Sequence, residues 1–362
     1  MRILITSIGL DGRSGTSLYV RDLALQLLRI GHQPIVYTMS IGAVAHEMRT
    51  LGIPIVTRLS SVSRVPDVIH AHHTVPTLDA LRCFPRTPAI YVCHDHTSFF
   101  DQAVIDPRVR RYYGVSNLCL ARLQRAGVEP GCAQLLTNFV DTRRFEARDS
   151  LPAKPQRALI FSNYARRGTH LPAVAAACRR KGLNLDVIGE SVGNVVAAPE
   201  SVLGRYDIVF AKAKAAMEAM ATGAAVVLCD FGGVGPLVNG ENFDALRPMN
   251  FGFEALVDPL TAASVLRQIE RYDPRDAARV CTKLRCVANL QDAVNTLCAI
   301  YGEVVAEPFV RTVPPGAPAS RPDVLRNAAH RLWLGLRPSG RVLLRRAPGV
   351  RSLMSKLRVK RF

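Results

Sequence analysis

The sequence predicts an α/β protein with two doubly wound, Rossmann-like domains that face a cleft, followed by a basic C-terminal tail. Three observations predict this fold class. Short apolar runs alternate with helical patterns through about the first 140 residues, and the alternation restarts after a polar stretch. Basic residues then accumulate at the C-terminal end of the chain.

Residues 1–145 are predicted to form the N-terminal domain. Its predicted strands are the runs RILITSIG, PIVYT, PIVTRL, DVIHA, AIYVCH and YYGVS. Its predicted helices are residues 15–30 and the segments GAVAHEMRTLG, TLDALRCF and NLCLARLQRAG, several of which end at glycine. Because strands and helices alternate, the sheet is predicted to be parallel and covered by helices on both faces.

A polar stretch with two prolines, residues 146–157, is predicted to be a linker. The second domain, residues 158–306, has predicted strands at ALIFSN, NLDVIGE, YDIVFA and AAVVLCD. Helices are predicted at residues 170–180 and 213–222, and a helical block covers about residues 259–305. In doubly wound sheets, ligands bind at the carboxyl ends of the strands, so we expect the ligand cleft between the two halves.

Composition limits the class of protein. The chain is 48% hydrophobic and 21% charged, which is typical of a soluble globular protein with sizeable cores. It has no run of about 20 apolar residues, so no membrane span is predicted, and the N-terminal apolar run indicates a core strand rather than a signal peptide. The nine cysteines include no C-x-x-C pair, which favours reduced thiols over a disulfide framework.

The C-terminal segment, residues 307–362, is predicted to be a Pro-rich spacer and a basic amphipathic tail. Residues 311–362 contain thirteen Lys or Arg and one acid, and so carry +12 of the net charge of +18. A solvated tail and a nucleic-acid contact are the alternatives, but no nucleic-acid-binding motif accompanies the charge, and no nucleic acid is expected as a partner. Because Trp333 and leucines alternate with arginines, we favour contact with an anionic membrane surface.

Five of the nine histidines lie between residues 67 and 96, in DVIHAHH and YVCHDH. Histidines two apart at the end of a strand lie on the same side of that strand, so a metal site is one hypothesis. No zinc-binding spacing occurs, however, and no metal is predicted. Histidines that pack at the ends of strands are the simpler interpretation for His70, His72 and His73.

The segment YDIVFAKAKAAMEAMATGAAVVLCD, residues 206–230, has the pattern of a strand, a short turn and a helix. A helix N-terminus with small residues lets backbone N–H groups approach an anion, and Lys212 and Lys214 add positive charge. Glu218, one turn into the helix, is placed to accept hydrogen bonds from sugar or ribose hydroxyls. An ordinary βαβ unit with solvated lysines is the alternative.

Two loops are further candidates for ligand binding. Arg166 and Arg167 follow the first strand of the second domain, and guanidinium groups suit phosphate, although two solvated arginines would give the same pattern. The loop IGLDGRSGTS contains Gly12, Gly15 and Thr16 but does not satisfy G-x-G-x-x-G, and the second strand ends without an acid. A redox dinucleotide site is therefore not predicted, and the alternative is a tight turn into a helix.

The motifs together resemble a known family. EAMATGAAVV is similar to the E-A-M-A-x-G-x-P-V-V signature of the family-four-like glycosyltransferases, which have the GT-B fold. SGTSLYVRDLALQLLRIGHQ, PDVIHAHH, VCHDH, YYGVSN and LLTNFVDTRRF resemble the family's N-terminal motifs in the same order. The resemblance covers about 300 residues.

This resemblance implies roles for the candidate residues. The second domain would hold a nucleotide diphosphate-sugar donor, with Glu218 on the ribose and a basic pair near Arg166 and Arg167 on the diphosphate. Lys212 and Lys214 at that diphosphate are our own addition. The N-terminal domain would hold the acceptor, with Gly12, Gly15 and Thr16 in its loop.

The same resemblance places His94 beside the transferred sugar, as a hydrogen-bonding group or a stabiliser of charge, with Asp95 orienting the site. The family's signature also has an earlier glutamate, eight positions before the later one, which contacts the transferred sugar. This chain has Phe210 there. The departure implies a different sugar, a substitute group or impaired activity.

The function predicted is that of a hexosyltransferase-type glycosyltransferase that acts on a glycan or lipid-linked acceptor. Retention of configuration is implied by the resemblance, and neither a metal nor any cofactor besides the donor substrate is expected. We expect a bacterial enzyme of polysaccharide or cell-envelope biosynthesis that is cytoplasmic or peripheral on the inner face of the membrane. The alternatives are a catalytically impaired GT-B-like scaffold protein and a nucleotide-sugar epimerase.

Overall fold

The computed structural model describes residues 1–308, and the predicted basic tail lies outside them. The described chain forms two compact units. Unit 1 contains Met1–Tyr113, Arg122–Gln134 and the residues from Tyr301 onward, whereas unit 2 contains Gly114–Ala121 and Leu135–Ile300. The predicted linker, residues 146–157, lies inside unit 2, and the predicted domain boundaries stay a prediction.

A seven-stranded sheet organises unit 1. Its strands are β1 (Arg2–Ser7), β2 (Gln33–Thr38), β3 (Ile55–Val56), β4 (Val68–Ala71), β5 (Ala89–Cys93), β6 (Val109–Gly114) and β7 (Ala133–Leu135). They lie in the order β3-β2-β1-β4-β5-β6-β7, and β1 pairs in parallel with both β2 and β4. The order reverses between β1 and β4, and such a switch point is where doubly wound sheets bind ligands.

Three helices pack within unit 1, and two more have residues in both units. The first three are α1 (Gly15–Arg29), α2 (Ala43–Thr50) and α3 (Thr74–Cys83), and the other two are α4 (Asn117–Arg125) and α11 (Leu290–Ala306). Ile3, Leu4 and Ile5 of β1 are fully buried, as expected for a central strand covered on both faces.

Unit 2 has a five-stranded sheet with a single antiparallel edge. Its strands are β8 (Arg157–Phe161), β9 (Asn184–Ile188), β10 (Ile208–Ala211), β11 (Ala225–Asp230) and β12 (Gly233–Leu237). Their order is β12-β11-β10-β8-β9, and all neighbours pair in parallel except β11 and β12. The switch point of this sheet lies between β8 and β10.

The helices of unit 2 pack on two apolar cores, one on each side of the sheet. They are α5 (Leu171–Lys181), α6 (Glu200–Leu203), α7 (Ala213–Ala221), α8 (Phe243–Leu246), α9 (Ala262–Ile269) and α10 (Pro274–Val287), and α11 begins here. The predicted helical block at residues 259–305 therefore consists of α9, α10 and α11.

The predicted fold class is confirmed: both sheets are doubly wound. Strand β12 has no counterpart among the predicted strands because GVGPL lacks the β-branched alternation of a strand. Glycine in this strand allows another part of the backbone to approach closely, since a Cβ at Gly235 would lie 2.5 Å from the Ala255 carbonyl oxygen. All nine cysteines are free, and within residues 1–308 no helix has the length and apolar character needed to cross a bilayer.

Candidate functional site

The loop after β1 ends at the exposed N-terminus of α1. Ser14 caps this helix, because its hydroxyl accepts a hydrogen bond from the Ser17 backbone N–H at 3.2 Å. Gly15 and Thr16 occupy the first turn, and a Cβ at Gly15 would meet no atom within 4 Å. Gly12 lies three residues upstream in the same loop. The predicted acceptor-side residues therefore lie together, and their role stays a prediction.

Contacts with α2 hold this loop in place. The Asp11 carbonyl accepts a hydrogen bond from the Ala43 N–H at 3.1 Å. A Cβ at Gly42 would lie 2.6 Å from the Asp11 Cα, so only glycine permits this approach. Glu47 of α2 pairs with Arg13 of the loop at 2.8 Å and with Arg21 of α1 at 2.9 Å.

Three histidine rings, called the histidine stack below, lie against one another at the carboxyl ends of β4 and β5, tilted by 46° and 52° from one ring to the next. His70 and His72 lie on the same side of their strand, as their spacing predicted, with ring centroids 4.6 Å apart. His94 follows β5, and its ring contacts that of His72 with centroids 4.8 Å apart, while the His94 Nε2 lies 2.9 Å from the His72 Nδ1. Tyr19 of α1 contacts His94 edge-on at 4.7 Å, which connects the acceptor-side helix to the predicted catalytic histidine.

Burial keeps these imidazoles neutral. It lowers the pKa of His70 to about 3, and burial together with neighbouring histidines lowers the pKa values of His72 and His94 well below 6.5. At neutral pH, His94 is therefore a hydrogen-bonding group and not a cation. Both roles predicted for His94 stay predictions, and a neutral imidazole would serve either of them as a hydrogen-bond donor or acceptor.

Asp95, the second predicted catalytic residue, folds the turn after β5. Its Oδ1 accepts hydrogen bonds from the Thr97 N–H at 2.6 Å, the Thr97 hydroxyl at 2.8 Å and the Ser98 N–H at 2.9 Å. Partial burial raises the pKa of Asp95, but these hydrogen bonds outweigh it and lower the pKa below its ordinary value. Asp95 is thus an ionised carboxylate that shapes the loop beside His94.

Asp101 lies under the same loop, and sequence reasoning did not find it. It is buried, and its carboxylate faces the backbone N–H groups of His94 and Asp95. Burial and the charge of Asp95 raise its pKa to about 7, despite opposing effects of Arg122 and of the backbone hydrogen bonds. Arg122 also donates to the Asp95 carbonyl at 3.1 Å and to the Ser98 carbonyl at 2.6 Å.

The histidine stack is not arranged as a metal site. Within residues 1–308, no group of three or more His, Cys, Asp or Glu side chains has an arrangement that holds a metal ion. The Nε2 atoms of His70 and His72 are buried and lack a hydrogen-bond partner in this part of the chain. His72 therefore makes its one ring hydrogen bond to His94.

In unit 2, the loop after β8 carries the predicted basic pair. Arg166 and Arg167 are both exposed, and neither guanidinium has an ion-pair partner among the described residues. Thr169 closes the loop, since its hydroxyl donates to the Tyr164 carbonyl at 2.7 Å and accepts from the Arg166 N–H at 3.0 Å. The two guanidinium groups are thus available to an anion.

Lys212 lies at the N-terminus of α7 between a carboxylate and two aromatic rings. Its Nζ is 3.3 Å from Asp230 Oδ2, 4.4 Å from the centre of the Phe253 ring and 5.3 Å from that of Tyr164. Tyr164 belongs to the loop of Arg166 and Arg167, so that loop reaches the start of α7.

Asp230 is the last residue of β11 and is buried. The sequence analysis did not select it, although a single acidic residue at the end of an apolar strand could have indicated a functional position. Besides Lys212, Asp230 contacts the buried His170, whose Nδ1 lies 3.7 Å from Asp230 Oδ1. Burial lowers the pKa of His170, and Lys212 adds to this effect, while Asp230 opposes it. Lys212 is therefore oriented by a buried acid at the carboxyl end of the sheet.

Lys214 and Glu218 form a buried pair in α7. Their side chains are 5% and 3% exposed, the Lys214 Nζ lies 3.5 Å from Glu218 Oε1, and it also donates to the Phe139 carbonyl at 3.4 Å. The two lysines therefore have different partners: Lys214 contacts Glu218 and the Phe139 carbonyl, whereas Lys212 contacts Asp230. The Glu218 carboxyl group is therefore paired with Lys214 within the helix.

Position 210 is in the core and not in a binding site. Phe210 is fully buried in β10, and only Lys212 separates the end of β10 at Ala211 from the first residue of α7, Ala213. The Ala213 N–H donates to the Phe251 carbonyl at 2.8 Å. A carboxylate at position 210 would therefore lie inside an apolar cluster.

Arg247 is a third residue that the sequence analysis did not single out. Its guanidinium donates to the Asn138 carbonyl at 2.7 Å and lies near the Met217 sulfur of α7. Burial lowers the pKa of Arg247 to about 10, and no carboxylate pairs with it among the described residues. Asn138 is buried, and its Oδ1 has no partner within residues 1–308. Arg247 therefore adjoins α7 at Met217.

Comparison with known proteins confirms the resemblance. The sequence model of Glycosyltransferase Family 4 matches residues 13–144. No curated protein matches the chain.

Solved structures share the fold over most of the chain. A glycosyltransferase from Rickettsia africae superposes with a TM-score of 0.63 and 14% identity, covering 85% of this chain and 99% of that one. HepE of Anabaena, in complex with UDP-glucose, has a TM-score of 0.60 and 14% identity, covering 84% and 100% of the two chains. Sucrose-phosphate synthase from Thermosynechococcus elongatus has a TM-score of 0.60 and 15% identity, covering 84% and 99%. These similarities confirm the GT-B fold.

Proposed function

We propose that this GT-B chain, with its N-terminal match to Glycosyltransferase Family 4, is a glycosyltransferase. It transfers a hexose or related sugar from a nucleotide diphosphate-sugar to a glycan or lipid-linked acceptor. Retention of anomeric configuration and independence from metal ions are parts of this proposal.

The observation that carries the proposal is the basic group at the switch point of unit 2. Arg166 and Arg167 are exposed after β8, and Lys212 is fixed by Asp230 where α7 begins after β10. The start of a helix favours anions because its N–H groups and its dipole present partial positive charge. A diphosphate is an anion that suits these groups, since guanidinium groups bind phosphate oxygens bidentately.

The comparisons support this choice of ligand. HepE, with the same fold, has been crystallised with UDP-glucose. These structures are only 14% and 15% identical to this chain, and that degree of identity establishes the fold alone. That this chain also binds a nucleotide diphosphate-sugar is therefore our proposal. In it, Glu218 binds the ribose, and Lys214 orients the Glu218 carboxylate.

Catalysis on this proposal is electrostatic. Arg166, Arg167, Lys212 and the start of α7 stabilise the charge that develops on the leaving diphosphate, and they are in place before the reaction. His94, held neutral, forms a hydrogen bond with the transferred sugar, and Asp95 shapes the loop that carries it. Gly12, Gly15 and Thr16 contact the acceptor.

Calorimetric titration with UDP and with GDP tests the donor site. We expect binding of at least one nucleotide, and Glu218→Ala should weaken it by about tenfold, the loss of about 1.4 kcal/mol. Glu241→Ala, at an exposed position, is the control and should leave affinity unchanged. If neither nucleotide bound at millimolar concentration, the proposed glycosyltransferase function would be refuted.

The buried Phe210 favours a second candidate, a catalytically impaired GT-B protein that serves as a binding or scaffolding subunit. Such a protein would bind nucleotide without releasing product. An assay for nucleoside diphosphate release with a range of donors and acceptors distinguishes the two, because turnover excludes the scaffold.

Residues 311–362, beyond the described chain, are proposed to attach the enzyme to an anionic membrane surface, which suits a lipid-linked acceptor. The full chain should co-sediment with phosphatidylserine-containing vesicles, and deletion of residues 311–362 should abolish this. Neutral phosphatidylcholine vesicles serve as the control. Unchanged sedimentation of the shortened chain would disprove the attachment.

A further inference from the structure

We propose that His72 is a positioning residue for His94: its Nδ1 fixes the ring orientation and the tautomer with which His94 meets the sugar. This inference rests on the proposed function only for the role of His94 in transfer. The hydrogen bond between the two rings is a property of the folded protein and can be measured without any substrate.

The backbone of His72 is held on both sides by Thr6 of β1. The His72 N–H donates to the Thr6 hydroxyl at 2.9 Å, and that hydroxyl lies 2.9 Å from the His72 carbonyl oxygen. The His72 ring then packs against His70 at 4.6 Å and against His94 at 4.8 Å. Since backbone and ring are both held, the His72 Nδ1 presents a fixed partner to His94.

The burial of His72 indicates that its hydrogen bond to His94 has a role other than stabilising the fold. His72 is fully buried, and its Nε2 has no hydrogen-bond partner among residues 1–308. Burial of a polar nitrogen without a partner costs free energy, so an apolar side chain of similar size would stabilise this position better. The hydrogen bond that His72 does make is directed at the one histidine in the stack that is not fully buried, His94.

The protons of the pair determine what His94 offers to a ligand. One hydrogen lies between His72 Nδ1 and His94 Nε2, since both rings are neutral. If His72 donates it, the proton of His94 is on Nδ1 and is donated to the sugar. If His94 donates it, Nδ1 carries a lone pair and accepts from a sugar hydroxyl. In both cases, the tautomer of His72 sets the hydrogen-bonding role of His94.

Three substitutions separate positioning from packing. The amide of Asn reaches the position of Nδ1 of a histidine, whereas the amide of Gln extends to the position of Nε2. His72→Asn should therefore keep a partner for His94, and His72→Gln and His72→Leu should remove it. His46→Asn, at an exposed position of α2, is the matched control.

Nitrogen-15 NMR of the histidine rings gives the direct readout. In the wild-type protein, we expect a scalar coupling across the hydrogen bond between His72 and His94 and a single tautomer of His94. His94 should exchange between tautomers in His72→Gln and His72→Leu, and should keep one tautomer in His72→Asn. Absence of the coupling in the wild type would overturn the proposal, even if the variants did not fold.

Kinetics give the second readout. The turnover number should fall about tenfold in His72→Gln and His72→Leu, as expected for a lost hydrogen bond near the reacting sugar, and much less in His72→Asn. UDP affinity should stay unchanged, because the residues proposed to bind the nucleotide lie in unit 2. Equal losses in all three variants would show that His72 only packs. If the wild type transfers no sugar, the proposed function fails, while NMR still decides the role of His72.

Discussion

The hydroxyl of Tyr301 forms a hydrogen bond with the Nδ1 of His70, joining the C-terminal part of α11 to β4 over 231 positions of sequence. Tyr301 is fully buried, as is His70. At this end of the histidine stack, the Nδ1 of His70 is hydrogen-bonded within the fold, whereas His94, at the other end, is half-buried.

Because the stacked histidines are buried and neutral, the protein should lose stability in acid. The unfolded chain binds protons at the three rings below about pH 6.5, whereas folded His70 binds its proton near pH 3. The free energy of unfolding should therefore fall as pH decreases from 6.5, by up to about 1.4 kcal/mol per pH unit for each ring.

His70→Phe tests this linkage, with unfolding by urea measured between pH 4 and 8. The variant should be less stable at pH 7, because Tyr301 loses a hydrogen bond. Below pH 6.5, however, its free energy of unfolding should decline less steeply with pH, because unfolding takes up about one proton fewer than in the wild type. An unchanged slope would show that His70 is protonated in the folded protein.

Asp101 should give the opposite pH dependence. Its pKa is raised from 3.8 to about 7, so between these values the folded protein keeps a proton that the unfolded chain releases. This group alone lowers the free energy of unfolding as pH rises through that window. Asp101→Asn should gain stability relative to wild type as pH increases from 5 to 8. A constant difference between the two proteins would contradict the raised pKa.

The buried pair of Arg21 and Asp22 should be important for stability. Both side chains are 2% exposed, and the Arg21 Nη2 lies 2.6 Å from Asp22 Oδ1. Asp22→Asn should lower the free energy of unfolding by about 3 kcal/mol, because it leaves a buried guanidinium with only part of its compensating charge. Asp244→Asn removes an exposed ion pair to Lys283 and should cost less than about 1 kcal/mol.

Lys212→Met tests the proposed diphosphate site. The methionine keeps the packing against Phe253 and Tyr164 and removes the ammonium group. Calorimetry should show UDP affinity reduced by about tenfold. Lys181→Met, which removes an exposed pair with Glu270, is the control. Equal affinities of the two variants would exclude Lys212 from the donor site.

Phe210→Glu tests why the family's first glutamate is absent. A carboxylate at this buried position has no partner, so the variant should be destabilised by several kcal/mol and should gain no activity. Thermal unfolding measures the first effect. A stable variant with increased transfer would show instead that position 210 faces the donor.

Much of the fold was predictable because alternating strands and helices carry their own periodicity. The spacing of His70 and His72 correctly predicted that their rings lie on the same side of the chain at the end of β4. Strand β12 was not predicted because glycine has a low intrinsic preference for strands. Its glycines are required instead by close contacts with other parts of the chain, such as that between Gly235 and the Ala255 carbonyl.

The site was less predictable, because its contacts join distant positions. The pair of Lys214 and Glu218 has the i, i+4 spacing of a helix and could have been inferred. The surroundings of Lys212 could not, since Asp230 and Phe253 reach it from separate loops. Ring orientation within the histidine stack likewise depends on rotamers that the sequence does not specify.

Release of nucleoside diphosphate from a donor sugar, in the presence of an acceptor, tests the central claim most directly. A panel of UDP- and GDP-sugars should contain at least one that the wild-type protein consumes with transfer of the sugar. His94→Ala should reduce this turnover by at least tenfold while nucleotide affinity is retained. No release from any donor, or equal turnover by His94→Ala and wild type, would contradict this account.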